Sequence, residues 1–514
     1  MTLSSNDDSA RRKILSIETL ASEIALHQAQ GKKVVHCHGV FDPMHIGHIR
    51  HFAAARNFGD ILIVTVTPDR FVNKGPHRPV FPEDLRAEAI AALETVNFVA
   101  VNRWPTAIET IQTLKPSVFV KGSEFRGGKD LTGAIGLEEN AVLSVGGRLE
   151  FTDDMTFSAS HLVNRHLSVF PQEVSDYLAD FSARYQTCDI LKFLDQSRAL
   201  KVLVVGETVI DDYQYVEAIG KSSKEPTLVV KSLSSDRFVG GAAAVSNHVA
   251  GFCDHVALHS ILGDVNSEED FIRSRLKKNV EPTFLFRHRS PTIVKRRFIE
   301  QYFYSKLFEV YELNDALPTA DESAAWTKSL SGRLSDFDVT IVVDSGHGFL
   351  TQEMINLLCC ESRFLAVNTQ SNAGNLGYHV ISNYPRADFV CIAENEMRLE
   401  SRDRRSDLRP MMEDVARRLN CSRIVVTRGK KGCSTYRSGE GHVDIPAFAS
   451  NVVDRIGAGD AFLSITSLCA VQDAPLEVLG FIGNVVGAQA VATVGNKASI
   501  ERIPLSRHIE HLLK

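Results

Sequence analysis

The 514-residue chain has room for two to four domains at about 100–200 residues each, and its 44% hydrophobic, 23% charged composition excludes a disordered polymer. With 57 basic against 63 acidic residues, a formal charge of -6 and no long basic block, it lacks the features of a nucleic-acid tail or a polybasic membrane patch. No apolar run is long and charge-free enough to span a bilayer, and the opening MTLSSNDDSARRK carries no secretory segment, so a cytoplasmic location is expected, with neither nucleic acid nor membrane as partner. The nine cysteines stand singly apart from Cys359-Cys360 and form no CxxC pair, which favours reduced, buried thiols over disulfides or structural zinc.

Residues 1–29 read as an N-terminal extension, polar at first and helical over 14–29. From Lys32 to Cys37 runs a β-rich segment, followed by a glycine turn and a helix over 45–58. The strand ILIVTVT, a helix over 82–94, the strand NFVAV, a helix over 105–115 and the strand SVFVKG follow. This alternation predicts a parallel α/β sheet, with a first domain over 30–165. Residues 166–199 read as a mainly helical linker. At KVLVVGE a second α/β domain begins and extends over 200–514 through VTIVVD, RFLAVNT, ADFVCIA and SRIVVTRG. The segments TLVVKSL and TIVKRRFIE suggest a small lid or dimerisation sheet attached to it.

The first chemical centre is VVHCHGVFDPMHIGHIRHF, which sets Gly39, Phe41, Asp42, His45, Gly47 and His48 between a strand and a helix. His45 and His48, three apart, can face one side of that helix. Gly47 lets a polyanion approach the first turn, where amides and the positive helix end hold phosphate oxygens. Imidazoles can donate to charge developing around phosphorus and on departing pyrophosphate. A satisfied histidine pair or two metal ligands would be the plainer reading of those residues alone.

GVFDPMHIGH as a whole resembles the GxFDxxHxGH signature of cytidylyltransferase-like nucleotidyltransferases, Rossmann-like proteins that transfer a nucleoside monophosphate to an acceptor phosphate, usually with magnesium. That resemblance implies acceptor or triphosphate contacts by Lys74, with Gly75, Arg78 and Pro79, and by Arg86. It gives Lys121 of FVKGSEF a catalytic role, with Glu124 where an aspartate is usual. It also gives Ser158 and Ser160, in a segment similar to the family's ISTT run, a nucleotide-phosphate role.

The second centre, NVVDRIGAGDAFLS, offers Asp454, Gly457, Ala458, Gly459 and Asp460 before a helix. Small residues let backbone amides curve around an anion, and Asp460 can take a proton from an attacking hydroxyl. A generic glycine turn would explain GAGD alone. The wider segment resembles the DTxGAGD signature of ribokinase-like (PfkB) sugar kinases, with Arg455-Ile456 in place of the usual residues, and VVTRGKKG adds nucleotide-side matches at Thr427, Gly429 and Gly432. Similarity to heptose-phosphate kinases implies substrate roles for Glu207, Asp211, Tyr213, Gly240, Gly241, Lys295 and Arg297. Tyr215, Asp344, Gly346 and Gly348 keep the pattern, whereas Ala244, His347, Asn368, Gln370 and Cys391 depart from it. Glu394 occupies the position expected to influence magnesium-bound phosphates indirectly.

Together the two halves resemble, in reversed order, the family of bifunctional heptose-phosphate kinase/heptose-1-phosphate nucleotidyltransferases. The resemblance implies Mg2+, ATP as kinase substrate, ATP or CTP as nucleotidyl donor, a phosphorylated sugar as substrate, a homodimer and a separate sugar-bisphosphate phosphatase. Two alternatives stay open: another sugar or polyol phosphate activated for capsule or surface glycans, and an active transferase carrying a degenerate kinase as scaffold or ligand sensor.

Overall fold

The computed structural model describes residues 10–72, 79–126, 134–152, 170–302 and 304–513. Lys74, Gly75, Arg78, Ser158 and Ser160 lie outside the described residues, as does the side chain of Glu124. The chain forms two compact units, Met1–Pro171 with Ser506–Lys514, and Gln172–Leu505.

In the first unit, α1 (Ile17–Ala29) starts at Ser16, whose hydroxyl accepts from the Thr19 amide at 3.2 Å. Then β1 (Val34–Gly39), α2 (Ile46–Arg56), β2 (Ile61–Val66), α3 (Glu83–Ala91), β3 (Phe98–Val101), α4 (Ile108–Leu114), β4 (Val118–Gly122), α5 (Ala134–Ser144) and β5 (Arg148–Thr152) alternate. All strand pairs are parallel, in the order β3-β2-β1-β4-β5. Every residue of β2 is buried, as an unbroken apolar run must be with helices on both faces. Val35, Cys37, Val64 and Val120 pack with Phe52 of α2, while Val34 and Ile63 pack with Leu20 and Ile24 of α1. The segment expected as an extension thus completes this unit's core. Strand order reverses between β1 and β4, and the crevice at their carboxyl ends is where such sheets bind ligands.

The second unit begins with α6 (Gln172–Arg184) and α7 (Thr187–Gln196). Their buried stripes are Val174, Leu178 and Phe181, then Ile190, Leu191 and Leu194. Phe181 stacks on Phe481 at 4.3 Å, Arg184 pairs with Glu477, and the Gln472 amide donates to the Phe193 carbonyl at 2.9 Å. These helices are therefore packed into the second unit.

Next comes β6 (Lys201–Lys221), which serves two layers. Its first part pairs in parallel with β8 (His255–Val265) and β12 (Val339–Asp344). Its second part pairs with β7 (Leu228–Gly241) and β10 (Ile293–Glu300), and β11 (Ser305–Glu312) joins β10 to finish a lid sheet. The main sheet extends through β9 (Val280–Pro291) on one side. On the other it passes through β13 (Leu365–Thr369), β14 (Phe389–Ala393) and β15 (Arg423–Thr427) to antiparallel β16 (Cys433–Arg437) and β17 (Gly441–Ile445). Its helices are α8 (Ala242–Val249), α9 (Glu269–Arg275), α10 (Ala320–Leu330), α11 (Gln352–Glu361), α12 (Glu394–Ser401), α13 (Leu408–Arg418), α14 (Ala458–Val471) and α15 (Leu476–Val491). Strand alternation separates Asp211, Lys295 and Arg297 from Asp212 and Arg296, which pair with each other at 2.7 Å.

Of the chain's two tryptophans, Trp104 lies in the first unit and Trp326 in the second. In a Trp104→Phe background, Phe181→Ala is expected to cost the second unit about 3–5 kcal/mol. Denaturant titration read by Trp326 fluorescence checks this; an unchanged midpoint would mean that α6 and α7 merely connect.

Candidate functional site

At the end of β1 the backbone turns through Phe41, whose φ of +51° is unusual for a residue with a side chain. Its ring meets that of His48 edge-on at 5.4 Å and that of Phe52 at 4.9 Å. A Cβ at Gly39 would lie 3.0 Å from the Phe41 ring, so glycine permits the turn. His45 caps α2, its Nδ1 accepting from the Gly47 amide at 3.0 Å. The rings of His45 and His48 stack with centroids 3.8 Å apart. The structure brings these imidazoles together at a helix N-terminus, where the dipole favours anions.

Other expected residues sit behind that turn. Both oxygens of buried Asp42 accept backbone amides, from Val80 at 2.6 Å and Phe81 at 2.9 Å. Arg86 is equally buried, and its guanidinium donates to the carbonyls of Phe81, Val40 and Thr67 and pairs with Asp69. Both hold the walls of the turn, and their charged groups are spent on protein atoms. Lys121, at the end of β4, pairs with Glu138 at 2.7 Å.

Two residues that the motif did not single out complete this edge. His38 lies between β2 and β4, its Nδ1 2.8 Å from the Thr65 hydroxyl and its Nε2 3.3 Å from that of Thr67. The Thr65 hydroxyl also lies 2.7 Å from Nε2 of His36. Burial, reinforced by the Lys121 charge, pushes His36 down to about 3 and lowers His38 as well, so both imidazoles are neutral donor–acceptors at pH 7. The signal for them was the alternation of histidines in VVHCHG, which puts both on one face of β1.

In the second unit, Asp460 lies in the first turn of α14, which opens at Gly457. Gly457 has φ +79°, and a Cβ there would come within 2.1 Å of the Asn496 side chain, so the turn demands glycine. A cavity of about 140 Å³ joins Gly457, Gly459 and Asp460 to Asp211, Gly241, Lys295, Arg297, Ser345 and Gln370. Asp460 accepts from the Gln370 amide at 2.6 Å. Burial and the Asp211 charge push its carboxyl up to about 7, against the Gln370 hydrogen bond and the Lys295 charge. Burial lowers Lys295, with Asp211, Asp460 and Glu207 opposing that shift. Arg297 pairs with Asp211 and with Glu309, the latter at 3.0 Å. A Cβ at Gly240 would lie 2.6 Å from Asp211 Oδ2.

Glu207 and Tyr213 are fully buried and stand behind this cavity. The Glu207 carboxylate accepts from the amides of Ser345 and His347, both at 3.1 Å, and fixes the loop after β12. The Tyr213 hydroxyl donates to Asp454 at 2.6 Å. Thr427, Gly429 and Gly432 border the turn after β15, outside the residues lining the cavity. Glu394 pairs with Arg398 at 2.8 Å and Arg428 at 3.4 Å, so arginines occupy both oxygens and it does not fit as a metal ligand. Glu396, two residues on, adds its charge to that of Asp211 on Asp460; it accepts from the amides of Ala393 at 2.7 Å and Ser371 at 3.0 Å. Among the described residues, no three His, Cys, Asp or Glu side chains converge as a metal cage.

A mixed sheet with a lid carried on its longest strand, and a carboxylate heading a glycine-opened helix, defines a ribokinase-like fold. The first unit is a Rossmann-like five-stranded sheet. The chain belongs to the pfkB family of carbohydrate kinases, whose pattern matches residues 199–503, and it carries a cytidylyltransferase-like domain matched over 36–139. These two domain types imply kinase and nucleotidyltransferase activities. The bifunctional protein HldE of Geobacter sulfurreducens is 36% identical over 166 residues, 31% of this chain and 32% of the relative. HldE of Aliarcobacter butzleri is 40% identical over 131 residues, 25% and 27% of the respective chains. The chain thus spans about a third of the length of the curated relatives it matches. Escherichia coli phosphofructokinase-2 in complex with potassium is similar in fold, with a TM-score of 0.51 at 13% identity over 61% of this chain and 100% of that one. The same enzyme in complex with fructose-6-phosphate gives 0.50 at 13% identity, with the same coverage.

A base must be ionised to accept a proton, and the Asp460 carboxyl is raised to about 7. Sugar-dependent ATP consumption is therefore expected to rise with pH through about 7, roughly tenfold per unit below it. A kcat/KM profile from pH 5 to 9 checks this; a flat profile below pH 6 would contradict the assignment.

Proposed function

We propose that the chain is a bifunctional nucleotide-sugar enzyme that phosphorylates a sugar phosphate and transfers a nucleotide to a sugar 1-phosphate. The observation that carries the kinase half is one cavity uniting a carboxylate, Asp460, with the half-buried cation Lys295 beside a helix N-terminus. The substrate hydroxyl gives its proton to Asp460, and its oxygen bonds to the γ-phosphorus of ATP. The bond to the β–γ bridging oxygen breaks, and ADP departs. Amides at Gly457, Ala458 and Gly459 face the charge gathering on the phosphoryl oxygens. Lys295 and Arg297 favour a substrate that already carries a phosphate, with heptose 7-phosphate, phosphorylated at O1, first among them.

In the transferase half, an oxygen of a sugar 1-phosphate attacks the α-phosphorus of ATP or CTP, and pyrophosphate leaves. His45 and His48 donate to the triphosphate, and Lys121 adds positive charge at the crevice edge. Phe41 and Gly39 shape the turn, Gly47 opens the helix start, and Asp42 and Arg86 hold both in place. Lys74, Ser158 and Ser160 are assigned to phosphate contacts by motif. Magnesium would be held through the nucleotide phosphates, since the described residues offer no cage for it, and would supply positive charge there.

If the first product is a 1,7-bisphosphate, a separate phosphatase acts between the two steps. The protein works in the cytoplasm, where ATP and sugar phosphates are available, as a homodimer. Neutral Gln370 in the kinase cavity, with Asn368 and His347 as further departures from the heptose-kinase pattern, also favours a second reading, in which another sugar or polyol phosphate is the acceptor.

His48→Ala is expected to lower pyrophosphate release at least 100-fold while sparing sugar-dependent ATP consumption, and Asp460→Asn to do the converse. Product masses from phosphorylated sugars with ATP, and from sugar 1-phosphates crossed with ATP, CTP, GTP and UTP, provide the check. Loss of both activities in either folded variant would refute independent centres.

A further inference from the structure

We propose that Gln370 is a positioning residue of the kinase centre, whose side-chain amide holds Oδ1 of Asp460 and leaves Oδ2 to take the substrate's proton. The inference rests on Asp460 being the base. An ionised carboxylate only accepts hydrogen bonds, so the amide nitrogen of Gln370 faces it, at 2.6 Å. Both residues line the same cavity, so the bond forms within the reaction space.

The origin of the Gln370 side chain is fixed from several directions. Its own amide donates to the Asp344 carbonyl at 2.8 Å, continuing the pairing of β12 with β13. On one side, the side-chain amide of Asn368 donates to the Cys391 carbonyl at 2.7 Å. On the other, the Ser371 amide donates to Glu396 at 3.0 Å. With its backbone held this way, Gln370 presents its amide to the base before substrate arrives. Preorganisation of this kind raises turnover rather than affinity.

Charge makes glutamine the informative choice. The ionisable groups acting on Asp460 are Asp211 from β6, Lys295 from β10 and Glu396 from α12. The two acids raise its carboxyl and the lysine lowers it. A neutral donor orients the carboxylate while leaving its proton affinity near neutrality, where a general base works best. A cationic donor in the same place would orient it equally well but weaken it as a base. Gln370 therefore sets both which oxygen reacts and the pH at which it becomes competent.

The test uses full-length protein labelled with 13C at the aspartate carboxyls, the Asp460 signal being identified by its loss in Asp460→Asn. Gln370→Leu removes the donor and should move the Asp460 midpoint up by about one unit; Gln370→Lys should move it down by about as much. With the acceptor found by product mass, Gln370→Leu should also lower kcat about tenfold with KM little changed. Equal midpoints in wild type, Gln370→Leu and Gln370→Lys would overturn the proposal. Full phosphorylation by Asp460→Asn would instead overturn the assignment of the base, so the two failures are distinguishable. Folding of each variant is read from Trp326 fluorescence in the Trp104→Phe background.

Discussion

The kinase unit depends on one buried carboxylate, that of Asp454. It accepts from the Tyr213 hydroxyl at 2.6 Å, from Lys306 at 2.7 Å, and from the amides of Gly495 at 3.0 Å and Ile456 at 3.2 Å. Tyr213 and Lys306 come from lid strands, whereas Ile456 begins the glycine turn that starts α14. Burial alone would raise this acid, but its donors and the Lys306 charge more than offset that and leave it lowered. A single charge thus ties lid, turn and the start of α14 together. Removing a partner from so enclosed a charge would be costly, because the remaining polar groups could not find water.

The first unit uses the same device in the opposite sense. There a buried cation, Arg86, gathers the carbonyls of Phe81, Val40 and Thr67, and Asp42 gathers the amides of Val80 and Phe81. Between them they brace the loop on which Phe41 and the paired imidazoles stand. In each unit, charged groups behind the candidate site shape the backbone that carries it. In a motif their chemistry looks like that of the site residues, but their role differs.

That explains what could be read in advance. Strand runs such as ILIVTVT and VTIVVD announced both sheets, because burial on two faces leaves an uninterrupted apolar signature. The glycines at 457 and 459 and the histidines at 45 and 48 were legible because their spacing is itself the geometry. Arg86, Glu207 and Tyr213 were less so, since nothing in a linear sequence tells whether a polar side chain turns toward substrate or toward backbone. The difference between Glu394 and Glu396 shows the limit well. Two positions along a helix differ by about 200° in direction, so one acid meets arginines and the other accepts the amides of Ala393 and Ser371. The apolar stripes of α6 and α7 were likewise visible, but the surface they cover was not.

The 21-residue strand β6 runs unbroken from the main sheet into the lid. No loop intervenes at the point where it leaves one layer for the other, so the lid cannot swing freely on that side as a door does on a hinge. Movement there must be absorbed as twist and bend along the ribbon. Glu207 and Asp211 sit on either side of that crossing, so bending of the ribbon bears on the loop after β12, which Glu207 fixes, and on Arg297, which Asp211 pairs. Gate and floor are cut from one piece of backbone, so a displacement of either is passed directly to the other.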